Sequence, residues 1–259
     1  MLPYLNLGPL GLPTAPLVYL LGMWLSLLAV DRAARRLGLD PERYYGLAAT
    51  TLLGGFIGAR LIFVLLHWSS YDDNLLGIVW PLNSGYNAFG GVLIAAAAAF
   101  FYARWRHLPL WPALDALTPG ILVFLIAVAL ADFLGGSSYG SLTSMPWGVT
   151  VFGVRRHAVQ LYEALAGVAA LGAWWVATSD LTGLGRPVRS YVAGRPFLLA
   201  VAVYAAGRLF VDAYRENATL VSGFHVVQIG ALVILILALV ALARRSKGPQ
   251  IDEEPAAQP

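Results

Sequence analysis

Residues 113–134 read ALDALTPGILVFLIAVALADFL, and the sixteen positions between Asp115 and Asp132 carry no charge. As a helix rising 1.5 Å per residue the stretch reaches about 33 Å, enough to cross a hydrocarbon layer of roughly 30 Å. Outward from it, further apolar runs place spans near 12–30, 46–67, 86–103, 158–178, 197–214 and 222–243. Composition agrees. Of 259 residues, 59% are hydrophobic and 12% charged, about half the charged share of a soluble domain, and mean hydropathy is +0.70. An ordinary cytosolic enzyme and an intrinsically disordered chain are both excluded. The expected fold is all-α: a polytopic membrane protein with seven transmembrane helices over 1–247, followed by a disordered cytoplasmic tail at 248–259 (GPQIDEEPAAQP). The first run does not read as a signal peptide, because no Lys or Arg precedes it and no cleavage-like segment follows before Asp31.

The chain has no cysteine, which excludes disulfides, Cys-ligated zinc and a thiol nucleophile of its own. Its basic balance (net charge +3) does not point to nucleic acid, because the basic residues sit between apolar runs, where they orient a membrane protein. Twelve Lys and Arg fall on the side of the one–two, three–four and five–six connections and the tail, against three on the other side. The N-terminus is therefore expected outside and the C-terminus in the cytoplasm. The Gly/Ser stretch 135–153 (GGSSYGSLTSMPWGVTVFG) reads as an outside loop.

Two arginines remain, both inside spans: Arg60 in GGFIGARLIFVLL (54–66) and Arg208 in YAAGRLFVDAYRE (204–216). An ionised group at bilayer depth costs about 2.5–3.5 kcal/mol or more, so each needs a reason. Asp212 lies four residues after Arg208, on the same helical face. Asp132 closes the fourth span; Arg156, His157, Gln160 and Glu163 open the fifth; His225 and Gln228 open the seventh. With the orientation above, all fall in the outward halves of their spans, which points to a polar chamber opening toward the outer leaflet. Arginines there suit a phosphate-bearing headgroup, which a guanidinium grips through two parallel hydrogen bonds.

Structural readings stand beside this one. Arg208 and Asp212 fit an intrahelical ion pair, and Arg60 fits bonding to backbone carbonyls. His157 and His225 fit helix-end structural roles, and Asp132 fits the satisfaction of loop amides. Gly58, Gly90, Gly91 and Gly207 fit close helix packing.

Read in order, NLGPLGL (6–12) with PLVYLLGMW (16–24), GARLIFVL (58–65), SGYNAFGGVLIA (84–95), ALADFLGGSSYG (129–140), RRHAVQLYEAL (155–165), YAAGRLFVDAYRE (204–216) and SGFHVVQIGAL (222–232) form a motif series. The series resembles the prolipoprotein diacylglyceryl transferase family, with its GGRLGYVL, GGMSFHGGLIG, GRIGNFINGELWG, RHPSQLYEAL, YGxxRFxxEFFRE and SxGQxLS stretches. The resemblance implies a multi-pass enzyme of the bacterial plasma (inner) membrane. Such an enzyme moves diacylglyceryl from phosphatidylglycerol to the lipobox cysteine thiol of a prolipoprotein and releases glycerol 1-phosphate. It uses no metal and no organic cofactor. The implied partners are phosphatidylglycerol or another anionic phospholipid, the precursor lipoprotein signal peptide and the membrane, and no nucleic acid.

The clustering, read with the motif series, assigns catalytic roles to Arg208, with Tyr204 and Asp212 orienting it, and to Asp132 or His157 as a replacement base. It assigns phospholipid binding to Arg60, Arg208, Arg156, Gln160, Glu163, Gly140, Arg215 and Gln228; Tyr162 also persists, and Asp212 stands for Glu. The chain departs from the pattern at Phe89 for His, Ala129 and Asp132 for Arg and Asn, Ser137 for Glu, and Ala15 for Tyr. Loss of a general base costs typically about 10²–10⁴-fold. Two other readings are a catalytically degenerate lipid- or lipoprotein-binding paralogue and a small transporter of anionic solutes or lipids.

Overall fold

A computed structural model gives the fold and describes residues 4–7, 10–71, 75–79, 85–136, 139–151, 153–179, 192–216, 220–221 and 224–246. The tail at 248–259, the loop charges Arg186, Arg189 and Lys247, and Ser137 lie outside the described residues.

Helices account for most of each apolar run. Long helices occupy α1 (Thr14–Arg36), α2 (Pro41–Leu66), α4 (Ala88–Trp105), α5 (Leu110–Gly135), α6 (Val159–Ala177), α7 (Arg195–Asp212) and α8 (Val226–Ser246), with a four-residue α3 (Leu76–Val79). Six of them are long and apolar enough to cross a membrane. The seventh, α7, has eighteen residues but carries Arg195, Arg208 and Asp212. These helices overlay all the runs read from sequence, with ends shifted by up to six residues. The largest shift is at the end of α1, which continues through Asp31–Arg36. Arg35 bonds Asp31 one turn back at 3.0 Å, and the helix ends only where Gly38 turns left-handed (φ 68°). There Leu39 N–H bonds Ala34 O and Gly38 N–H bonds Arg35 O, closing the last orphan carbonyls. Asp40 then caps α2, accepting from Glu42 N–H at 3.1 Å, with Pro41 in the first turn.

Three small antiparallel hairpins join the helices: β1 (Tyr4–Leu7) with β2 (Leu10–Pro13), β3 (Val149–Val151) with β4 (Val154–Arg156), and β5 (Leu220–Val221) with β6 (Phe224–His225). The loop expected at 135–153 is therefore partly ordered as strand.

Two compact units divide the chain, one of residues 23–121 and one of residues 1–22 with 122–259. In the first, α2 packs along α4 through facing small residues. A Cβ on Gly91 would meet Ala59 Cβ at 2.9 Å and Gly55 O at 3.0 Å, and one on Gly54 would meet Ala98 Cβ at 2.7 Å. Gly58 faces Ile94 and Gly90 faces Ile62 in the same way, so these are close-packing positions. A core of Val30, Ala34, Tyr44, Leu47, Ala48, Ala113, Ala116 and Leu117 lies in the same unit. In the second unit, α7 packs between α6 and α8, with Gly207 against Ala166.

Candidate functional site

The second unit gathers most of the polar residues read from sequence. Glu163, just past the first turn of α6, accepts from two guanidinium groups on one oxygen, Oε1: Arg208 Nη1 and Arg215 Nη2. Arg208 lies near the C-terminal end of α7 and Arg215 just beyond it, where the helix dipole favours cations. Asp212 sits at that same end, against the dipole, with a completely buried side chain. Its neighbours are Arg215 Nε at 3.6 Å and His225 Nδ1 at 3.3 Å. Arg208 thus reaches across to α6, and its ion pair is with Glu163 rather than with Asp212 on its own helix. The result is one row of alternating charge running Arg208, Glu163, Arg215, Asp212, His225.

Tyr204 lies one turn before Arg208 on α7, and its phenol feels the charges of Arg208, Glu163 and Arg215. Gln228, in the first turn of α8, donates to Leu209 O at 3.2 Å and ties α8 to α7. Gln160 is buried in the first turn of α6.

Gly140 is the crossing point of three backbones. It bridges Arg215, its N–H bonds His157 O at 3.2 Å, and its carbonyl accepts from Arg156 Nη1 at 3.2 Å. A Cβ there would meet His157 O at 2.6 Å and Tyr214 O at 2.9 Å, so only glycine fits. Arg156 also pairs with Glu216 and lies over the Tyr139 ring, 4.7 Å from its centroid. His157 has Nδ1 3.2 Å from the Tyr162 hydroxyl and its ring 4.7 Å from that of Tyr214. Asp132, near the end of α5, accepts from the Tyr19 hydroxyl of α1 at 3.1 Å.

Arg60 belongs to the other unit and has a different setting. Its guanidinium donates to Ile78 O and Gly85 O at 2.9 Å each and to Gly77 O at 2.5 Å, between the rings of Tyr71 and Tyr86. These are the backbone-carbonyl bonds of its structural reading, and they fasten the segment after α2 back onto that helix. Phe89, in the first turn of α4, is 73% exposed, whereas Ala129 is buried in α5 at 3%.

Sequence reading missed Tyr19 and Glu216. Tyr19 was legible in principle, since it follows Ala15 by one helical turn in PLVYLLGMW. Glu216 closes the YRE triplet after α7, but its pairing with Arg156, sixty residues earlier, has no local signature.

The model of the prolipoprotein diacylglyceryl transferase family matches residues 4–244. The chain belongs to that family. Among its relatives, the phosphatidylglycerol–prolipoprotein diacylglyceryl transferase of Geobacter sulfurreducens is 30% identical over 263 residues, covering 95% of this chain and 96% of the relative. The protein of that name from Clostridioides difficile is 25% identical over 236 residues, covering 90% and 91%. The diacylglyceryl transferase family and the six apolar helices together make this a multi-pass membrane protein. The Glu163–Arg208–Arg215 cluster falls within the two strongest motif stretches of this family member.

Proposed function

We propose that the chain transfers the diacylglyceryl group of phosphatidylglycerol to the lipobox cysteine thiol of a prolipoprotein, releasing glycerol phosphate. It does so as a seven-span protein of the bacterial inner membrane, N-terminus out and C-terminus in, with α7 crossing as the sixth span in chain order beside the six more apolar helices. The whole-chain family match and the names of its relatives support the substrates.

The observation that carries the reading is the convergence of Arg208 and Arg215 on one carboxylate oxygen of Glu163. Two guanidinium groups so disposed hold an oxyanion, and a phosphodiester presents the same kind of oxygen with more of them to share. In the reaction the thiol gives up its proton, sulfur forms a bond to the terminal glyceryl carbon, and that carbon's bond to the phosphate oxygen breaks. Charge grows on the departing phosphate, where the arginines act most strongly. Tyr204, Asp212 and Glu163 orient the two arginines. Arg156, Gly140, Gln160 and Gln228 hold the surrounding frame, and Arg60, in the other unit, fastens the segment after α2. With Phe89 in place of the family's histidine, the thiol proton goes to another group, among Asp132, His157 and His225.

Phe89 and Ala129 favour a second reading, a binder without catalysis. Purified protein in phosphatidylglycerol vesicles with a lipobox peptide separates the two. Transfer by the wild type supports the enzyme. Transfer appearing only in the Phe89→His/Ala129→Arg variant supports the binder.

A further inference from the structure

We propose that His225, backed by Asp212, is the general base of this chain. The inference rests on the transferase reading and deepens it. His225 stands at the head of α8, where the family's SxGQ stretch has its serine, two residues before the start of the GQ pair.

The geometry is that of an imidazole held from behind. Nδ1 faces Asp212 on two sides, at 3.3 Å from Oδ2 and 3.2 Å from the backbone oxygen. The hydrogen bond from Nδ1 to the Asp212 backbone oxygen, with the carboxylate close by, places the proton on Nδ1 and leaves Nε2 with its lone pair, the tautomer a base needs. Among the described residues, Nε2 has no hydrogen-bond partner. The His225 side chain keeps 26% of its surface while the Asp212 side chain has none, so the imidazole is partly open and the carboxylate behind it is closed off. Neither buried carboxylate oxygen of Asp212 has a hydrogen-bond partner among the described residues, and with only Arg215 Nε at 3.6 Å beside it the carboxylate gains from the second cation that protonation of His225 supplies.

The other two acceptors are weaker candidates on physical grounds. As a class a carboxylate takes a thiol proton less readily than an imidazole does, and Asp132 already accepts from the Tyr19 hydroxyl. His157 has the Tyr162 hydroxyl rather than a carboxylate at Nδ1, the Tyr214 ring tilted beside it, and both backbone groups committed to the strand crossing at Gly140. His225 alone combines an imidazole, a carboxylate behind it and an unengaged nitrogen. It also ends the charge row that begins at Arg208, with only Asp212 between it and Arg215 of the phosphate grip, so proton acceptor and grip belong to one continuous cluster. In the step, Nε2 takes the thiol proton, sulfur bonds to the glyceryl carbon, and the carbon–oxygen electron pair leaves with glycerol phosphate. The imidazolium then returns its proton to the phosphate or to solvent.

The test compares wild type with His225→Asn, which keeps a donor toward Asp212 but has no second ring nitrogen. Each is reconstituted in phosphatidylglycerol vesicles and given two lipobox peptides, one with cysteine and one with selenocysteine, whose selenol is already ionised at neutral pH. A base role predicts a fall of about 10²–10⁴-fold with the thiol and no more than about tenfold with the selenol. An equal fall with both acceptors, or no fall with the thiol, overturns the proposal. Transfer by wild type to neither peptide overturns the transferase reading, and this inference with it.

Discussion

Glu163 serves two guanidinium groups with one carboxylate oxygen, so its loss takes the carboxylate from two cations, where loss of either arginine leaves Glu163 paired with the other. Glu163→Gln is therefore expected to lower stability by about 2 kcal/mol, more than Arg208→Gln does, read from thermal unfolding in detergent or nanodiscs. The double variant should recover part of the difference. For activity, Arg208→Lys keeps the charge but not the fork, and kcat/KM should fall by about 10²-fold or more. The residues of this cluster were individually legible, because ionisable groups inside apolar runs announce themselves. Their pairing was not. The i,i+4 spacing of Arg208 and Asp212 suggests a bond within α7, yet the carboxylate that Arg208 takes comes from α6, 45 residues earlier in sequence. Arg60 shows the opposite outcome: its polar partners are backbone carbonyls of the segment following α2, which no residue-type pattern reveals.

At the level of elements, the helices were legible because 18 to 26 apolar residues leave little alternative, while their ends depend on caps that act over three or four residues. Gly38 and His107 occupy equivalent left-handed positions after α1 and α4, with φ of 68° and 52°. Leu108 N–H bonds Ala103 O at 2.8 Å just as Leu39 bonds Ala34. Gly38→Ala should destabilise by about 1 kcal/mol, whereas His107→Gly should be neutral or stabilising, because the strain of a side chain there is removed; paired melting curves check both. The helix-packing glycines divide just as sharply. A side chain on Gly58 runs into Ile94 across the α2–α4 contact, so Gly58→Leu should cost about 3 kcal/mol or more. Gly172 and Gly230 have nothing within 4 Å of an added Cβ, and Gly172→Ala should gain about 0.5–1 kcal/mol in helix propensity.

Across the whole molecule, the sequence pattern carried the helices but not the joints between them. Backbone bonds from Gly140 and Ser141 to His157 and Tyr214 connect positions far apart in the chain, and a Gly/Ser-rich run gives no hint of that partner. Orientation is open to direct measurement, since a chain without cysteine accepts single-cysteine probes on a clean background. With the N-terminus outside, Ser70→Cys should label with an impermeant maleimide added to intact spheroplasts, and Arg106→Cys only after lysis. The reverse pattern would refute the orientation and place the charge cluster on the cytoplasmic side. The decisive experiment follows headgroup-labelled phosphatidylglycerol and a lipobox peptide with the reconstituted protein. One glycerol phosphate released for each peptide thioether formed, with both products lost together in Arg208→Lys, is the predicted result. Lipid binding or scrambling without headgroup release, under conditions where the Geobacter sulfurreducens relative transfers, would contradict it.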